Sequence, residues 1–93
     1  MDTDDVCYTH HPDVRWRELG PRVVVLHQRR GTYYTLNELG AFLWKSVNGR
    51  TRLGLILEKI VERYEVDPDT ARSDLLETLQ DLVREGLIID IED

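Results

Sequence analysis

Polar and apolar positions alternate from Val14 to Leu36, after which the period changes. Val14-Arg-Trp-Arg-Glu-Leu19 reads as one strand, Gly20-Pro21 as a turn, Arg22-Val-Val-Val-Leu-His-Gln28 as a second strand and Thr32 to Leu36 as a third. Connections this short predict an antiparallel meander, with Arg29-Arg30-Gly31 as its second turn. The middle strand carries Val23 and Val25 on one face and Val24 and Leu26 on the other, which predicts at least partial cover on both. Thr32 to Leu36 is left at a sheet edge with a row of unpaired backbone groups, and such an edge must be protected or used.

From Asn37 onward the period is helical. Asn37 caps a helix running from Glu38 to about Ser46, with Leu39, Phe42 and Leu43 on one face and Asn48-Gly49 at its end. A second helix is predicted from a Thr51 cap. Its Leu53, Ile56, Leu57, Ile60, Val61 and Tyr64 recur at i, i+3, i+4, i+7 and i+8 and form a core face, while Leu55 points away. The third has Asp67 as cap and Pro68 in its first turn, runs to about Glu85, and stops at Gly86 before the apolar Leu87-Ile-Ile89. Residues 14–93 therefore read as a single α+β domain, a three-stranded antiparallel sheet followed by three helices. Residues 1–13 lack a hydrophobic period and contain His10-His-Pro12, which predicts a flexible, loosely docked N-terminal segment.

At about 100° per residue, the third helix groups Ala71, Leu75 and Leu82, then Leu79, then Val83 and Leu76, an apolar arc of about 140°. Arg72 lies within its flank, and Asp69 and Gln80 border it. This pattern fits either a broad core helix with a polar margin or one wall of a groove. If that flank borders the free edge at Thr32 to Leu36, the result is a slot for an extended peptide. An added strand would supply main-chain hydrogen bonds, and pockets would select alternate side chains. Tyr33 and Tyr34 must face opposite sides of their strand; Tyr34 shares a face with Leu36, so Tyr34 is expected in the core and Tyr33 as a contact residue. Trp16 and Trp44 are expected in structural roles, with buried rings.

Composition narrows the chemistry. A chain of 93 residues makes about one domain with a modest core. Its single Cys7 has no internal disulfide partner, and no run of about 18 apolar residues could span a membrane. Met1-Asp-Thr-Asp-Asp5 is acidic where a secretory signal is basic, so the expected location is cytoplasmic. Residues 1–61 hold nine Lys/Arg against seven Asp/Glu, and residues 62–93 hold three against eleven. The third helix sets Arg72 and Arg84 against Asp69, Asp74, Glu77, Asp81 and Glu85, which would repel phosphates and argues against a DNA-reading helix. Cys7, His10 and His11, with His27 elsewhere, make a poor metal set because closed sites need about four ordered ligands. No phosphate loop, metalloprotease helix or nucleophile–base pair is visible, so neither catalysis nor a cofactor is expected.

Tyr34-Thr-Leu-Asn37, Ala41-Phe-Leu-Trp44, Asn48-Gly-Arg-Thr51, Ile56, Tyr64, Val66-Asp67 and Leu79 through Gly86-Leu-Ile88 occur in an order and spacing that resembles the PqqD-like precursor-peptide recognition domains, also called RiPP recognition elements. The resemblance covers about residues 14–90. It implies a winged-helix-like fold and a non-catalytic protein that binds the leader segment of a ribosomally made precursor peptide by strand addition. Carried over by position, Thr32, Tyr33, Tyr34 and Thr35 would offer the edge. Asp69, Arg72, Leu76, Leu79 and Val83 would line the helix side, and Val23 and Val25 would form the pocket floor if their face opens there. The free-standing length resembles leader-binding proteins of lasso peptide biosynthesis, whose partners are a leader peptidase and a macrolactam-forming cyclase, with no nucleic acid and no membrane. The alternatives are the peptide chaperone of quinone cofactor biosynthesis and a winged-helix DNA-binding regulator.

Overall fold

The computed structural model of the chain describes residues 3–91; Met1, Asp2, Glu92 and Asp93, the outer ends of the two segments read from the sequence, lie outside the described residues. A short 3-10 turn at Thr3–Asp5 leads into β1 (Cys7–His10), and the meander follows as β2 (Val14–Leu19), β3 (Arg22–His27) and β4 (Thr32–Leu36). Then come α1 (Glu38–Ser46), α2 (Leu53–Tyr64), α3 (Pro68–Arg84) and a closing strand β5 (Ile88–Ile91).

The predicted sheet is present, in the order β2-β3-β4 and antiparallel throughout. Its inner face presents Val23 and Val25, both fully buried, to the helices. Its outer face has the partial cover expected of it. Val24 and Leu26 are half-buried, and they lie beside the exposed Tyr33 of β4 and the exposed Arg15 and Arg17 of β2. The core joins Val23 and Val25 to Leu43, Trp44, Ile56, Ile60, Leu75, Leu79 and Leu82.

Local chemistry explains the helix boundaries. The Asn37 side chain accepts the Gly40 N–H at 2.9 Å, and the Asp67 side chain accepts the Thr70 N–H at 3.1 Å, so both expected caps are in place. Thr51 does not cap α2. The Arg52 position precedes that helix with no side-chain cap, while Asn48 accepts the Arg50 and Thr51 N–H groups at 2.8 and 2.9 Å. The first free N–H of α2, that of Leu53, instead donates to the Val6 carbonyl at 3.0 Å.

That bond belongs to the largest departure from the sequence reading. The N-terminal segment, expected to be loosely docked, is built into the fold. β1 pairs antiparallel with β5, setting Cys7 opposite Ile91 and His10 opposite Ile88. The His10 ring stacks on Trp44 with centroids 3.8 Å apart, and its Nε2–H donates to the Trp44 carbonyl at 2.7 Å. The segment's short alternation hides its strand, because β1 forms only where the apolar run after α3 returns to pair with it.

Candidate functional site

Among the described residues β4 is an edge strand, paired only with β3. Thr32, Tyr33 and Thr35 are exposed; Tyr34 and Leu36 turn inward, opposite Val25 and Val23. Tyr33 is 71% exposed on the outer face, and Tyr34 closes against α3, its hydroxyl donating to Glu85 Oε2 at 2.9 Å. This is the division of the two tyrosines that alternation predicts. Arg30, in the turn before β4, donates to the Glu85 carbonyl at 3.0 Å, so the end of α3 is tied at two points to the start of the edge strand.

One side of α3 reaches β4 at its C-terminal end and stands against α1 and α2 along the rest. Glu85 meets Tyr34; a Cβ on Gly40 would stand 3.7 Å from the Thr78 methyl; and Asp74 shares an apolar cavity of about 350 Å³ with Asn37, Glu38, Leu39, Ile60 and Tyr64. Asp74, Thr78 and Glu85 repeat at i, i+4 and i+11 and so share one side of the helix. The opposite side faces the N-terminal segment. Arg72 pairs with Asp4 at 2.8 Å, and Leu76, Leu79 and Val83 enclose a second concavity, of about 420 Å³, with Tyr8 of β1. Burial, and secondly the facing Asp90, push the Tyr8 phenol above its ordinary range, so it stays a neutral group there.

The expected helix-side residues differ in exposure and in partners. Leu79 is core at 3% exposure, Leu76 is half-buried, Val83 and Asp69 are exposed, and Arg72 is engaged with Asp4. Val23 and Val25, expected as a pocket floor, are sealed beneath the sheet and open to no groove. Helical periodicity places two polar margins beside one apolar arc and does not say that Asp74 and Thr78 turn toward α1 and Glu85 toward Tyr34. The available signal was Leu87-Ile-Ile89: an apolar strand after α3 needs a pairing partner, and the segment that supplies it covers the other margin.

The remaining chemistry is structural. Trp44 is fully buried, and its Nε1–H has no partner among the described residues, while Trp16 is 40% exposed and meets Trp44 edge to face at 6.2 Å. His11 Nδ1 accepts the Asp13 N–H at 3.0 Å, and the His27 ring is buried beside it. Among the described residues no three His, Cys, Asp or Glu side chains are grouped to hold a metal ion, and no helix is long and apolar enough to cross a membrane. Both cations of α3 are engaged, Arg72 with Asp4 and Arg84 with Asp81.

Sheet, helices and free strand edge together define an α+β domain of winged-helix type. The chain belongs to the PqqD family, whose model, described as coenzyme PQQ synthesis protein D, matches residues 22–88. This agrees with the resemblance carried by the motifs. No curated protein matches the chain. Among solved structures it is similar to TbiB1 in complex with the TbiA(beta) leader peptide, with a TM-score of 0.82 and 28% identity over 91% of this chain and 99% of that one.

Proposed function

We propose that this chain is a non-catalytic recognition protein that takes the leader segment of a ribosomally made precursor peptide, of the lasso class, as a fourth strand on β4. It then presents that peptide to a leader peptidase and a macrolactam-forming cyclase. The observation that carries this reading is the unpaired edge of β4, held against the flank of α3 at Tyr34 and Glu85. An extended guest on that edge finds backbone partners along Thr32 to Leu36 and runs toward the apolar cavity beside Asn37 and Leu39. Likeness to a protein solved with a leader peptide supports the same reading.

The description of the family model favours a second reading, a peptide chaperone of quinone cofactor biosynthesis, which would use the same edge for a different precursor. A DNA-binding role is disfavoured, since the cations of α3 are already paired and its other charges are carboxylates.

The test is an NMR titration of labelled protein with the synthetic leader of a precursor encoded beside its gene. Saturable shifts are expected at residues 32–36 and along the Asp74, Thr78 and Glu85 side of α3. A cognate lasso leader that produces no shifts, beside a quinone-pathway precursor that does, would replace the first reading by the second.

A further inference from the structure

The cavity past the end of β4 lies where α1, α2 and α3 meet. α2 ends at Tyr64, and the left-handed Glu65 turns the chain toward α3, which leaves the space beside Ile60 and Tyr64 open. Ile60 and Ala71 form a buried floor, and Leu39 and Tyr64 are half-buried walls. The polar side chains of the lining divide in two. Asn37 and Thr70 are occupied, Asn37 accepting the Gly40 N–H at 2.9 Å and Thr70 donating its hydroxyl to Asp67 at 3.3 Å. Glu38 and Asp74 are exposed, and their carboxylates have neither a hydrogen bond nor an ion pair among the described residues. Glu38 has a local reason to be there, since it stands in the first turn of α1, where a carboxylate complements the helix N-terminus. Asp74 has none: it lies beyond the first turn of α3, among apolar side chains.

We propose that Glu38 and Asp74 are specificity-determining residues that select a lysine or arginine of the guest peptide, its aliphatic stem in the cavity and its charged head between the two carboxylates. This assignment rests on the proposed function. A guest strand on β4 that continues past Leu36 runs by Asn37, Glu38 and Leu39 and so reaches the mouth of the cavity.

The lining decides the chemistry of the occupant. Lys and Arg lay their methylene groups on apolar surface while their heads stay in water, which suits an apolar floor beneath an exposed acidic mouth. An acidic side chain would be repelled, and a purely apolar one would take water from both carboxylates and give them no partner. The chain itself supplies no such cation. No lysine or arginine lines the cavity, and Arg63 stands over the Phe42 and Tyr64 rings, 5.6 and 5.8 Å from their centroids, paired with neither carboxylate. Main-chain bonds to β4 are common to every extended peptide, so a charge criterion at the end of the strand adds selectivity that strand addition lacks.

The experiment uses the whole chain and the synthetic leader of the precursor encoded beside its gene, with affinity read by fluorescence anisotropy. Each Lys and Arg of the leader is replaced in turn by Gln, and the set is measured against the wild-type chain and against Glu38→Gln with Asp74→Asn. One replacement is expected to weaken binding to the wild-type chain about fivefold, and to change binding to the double variant by less than about twofold, because its partner carboxylates are already gone. Glu38→Lys with Asp74→Lys should lose about tenfold or more for the unaltered leader and recover when that same leader residue is made Glu, a rescue that a merely structural role would not produce. Circular dichroism melting checks that the variants fold, and Asp74→Asn alone, at an exposed site, serves if the pairs do not. A leader in which no cation couples to the carboxylates overturns the inference, as does one without Lys or Arg. Full leader affinity in the double variant, together with weakened binding of the leader peptidase or the cyclase, would give the cavity to an enzyme instead. A wild-type chain that does not bind leader strikes the underlying reading, whereas tight leader binding indifferent to both carboxylates sinks only this inference.

Discussion

Tyr34 and Glu85 join the edge strand to the C-terminal end of α3. The phenol reaches from β4 to the carboxylate at 2.9 Å, in a half-buried site where a charge-assisted hydrogen bond outweighs a neutral one. Tyr34→Phe keeps the ring packed and removes only that bond, so unfolding stability should fall by about 1–2 kcal/mol, measured by urea denaturation. His10 carries a pH dependence of its own. Burial lowers its pKa from the ordinary imidazole value of 6.5, outweighing the hydrogen bond to the Trp44 carbonyl that raises it. The folded state therefore favours the neutral ring, and below about pH 6.5 the unfolded chain takes up the proton first. The stabilisation is complete above the unfolded value and is lost as pH falls toward the lower folded value. Unfolding curves at pH 7.5 and 5.5 should show this loss in the wild type and a smaller one in His10→Gln.

Among the elements, α3 has a different task on each side. Its Leu76 and Val83 margin faces Tyr8 of β1, and its Asp74, Thr78 and Glu85 margin faces α1 and α2 and meets Tyr34 of β4 at Glu85. If the guest strand lies on β4, Asp74→Ala and Glu85→Ala should each weaken leader binding several-fold, by about 1 kcal/mol or more. Val83→Asp, at an exposed position on the other margin, should leave the dissociation constant within about twofold, as read by anisotropy. The turn between α2 and α3 contains a built-in strain. Glu65 ends α2 in the left-handed region at φ 51°, where a side chain with a Cβ is disfavoured and glycine is not. Glu65→Gly should raise stability by about 0.5–1 kcal/mol in the same denaturation assay, since relief of that conformation exceeds the added freedom of the unfolded chain.

On the scale of the whole molecule, the N-terminal segment acts as a strap. It pairs with β5, accepts the first N–H of α2 at Val6, shields Trp44 through His10 and holds Arg72 through Asp4. Deletion of residues 1–10 should lower the melting temperature by on the order of 10 °C or more, followed by circular dichroism; a truncated chain that melts like the full one would return the segment to the role of a loose lead-in. By itself the sequence determined the meander, all three helices, the Asn37 and Asp67 caps, the opposed faces of Tyr33 and Tyr34, and the edge position of Thr32 to Leu36. Each of these depends on a local period or a local cap, which a linear pattern records. Tertiary structure alone decided that residues 7–10 form a strand, that Arg15, Arg17 and Tyr33 stay exposed on the sheet's outer face, and that Glu85 of α3 meets Tyr34 of β4. Those outcomes depend on segments far apart in the chain. A helix with one apolar stripe and two polar margins packs equally well, as far as its own residues say, with either margin toward the sheet; β1, held by β5, occupies one side, and on the other Glu85 meets Tyr34.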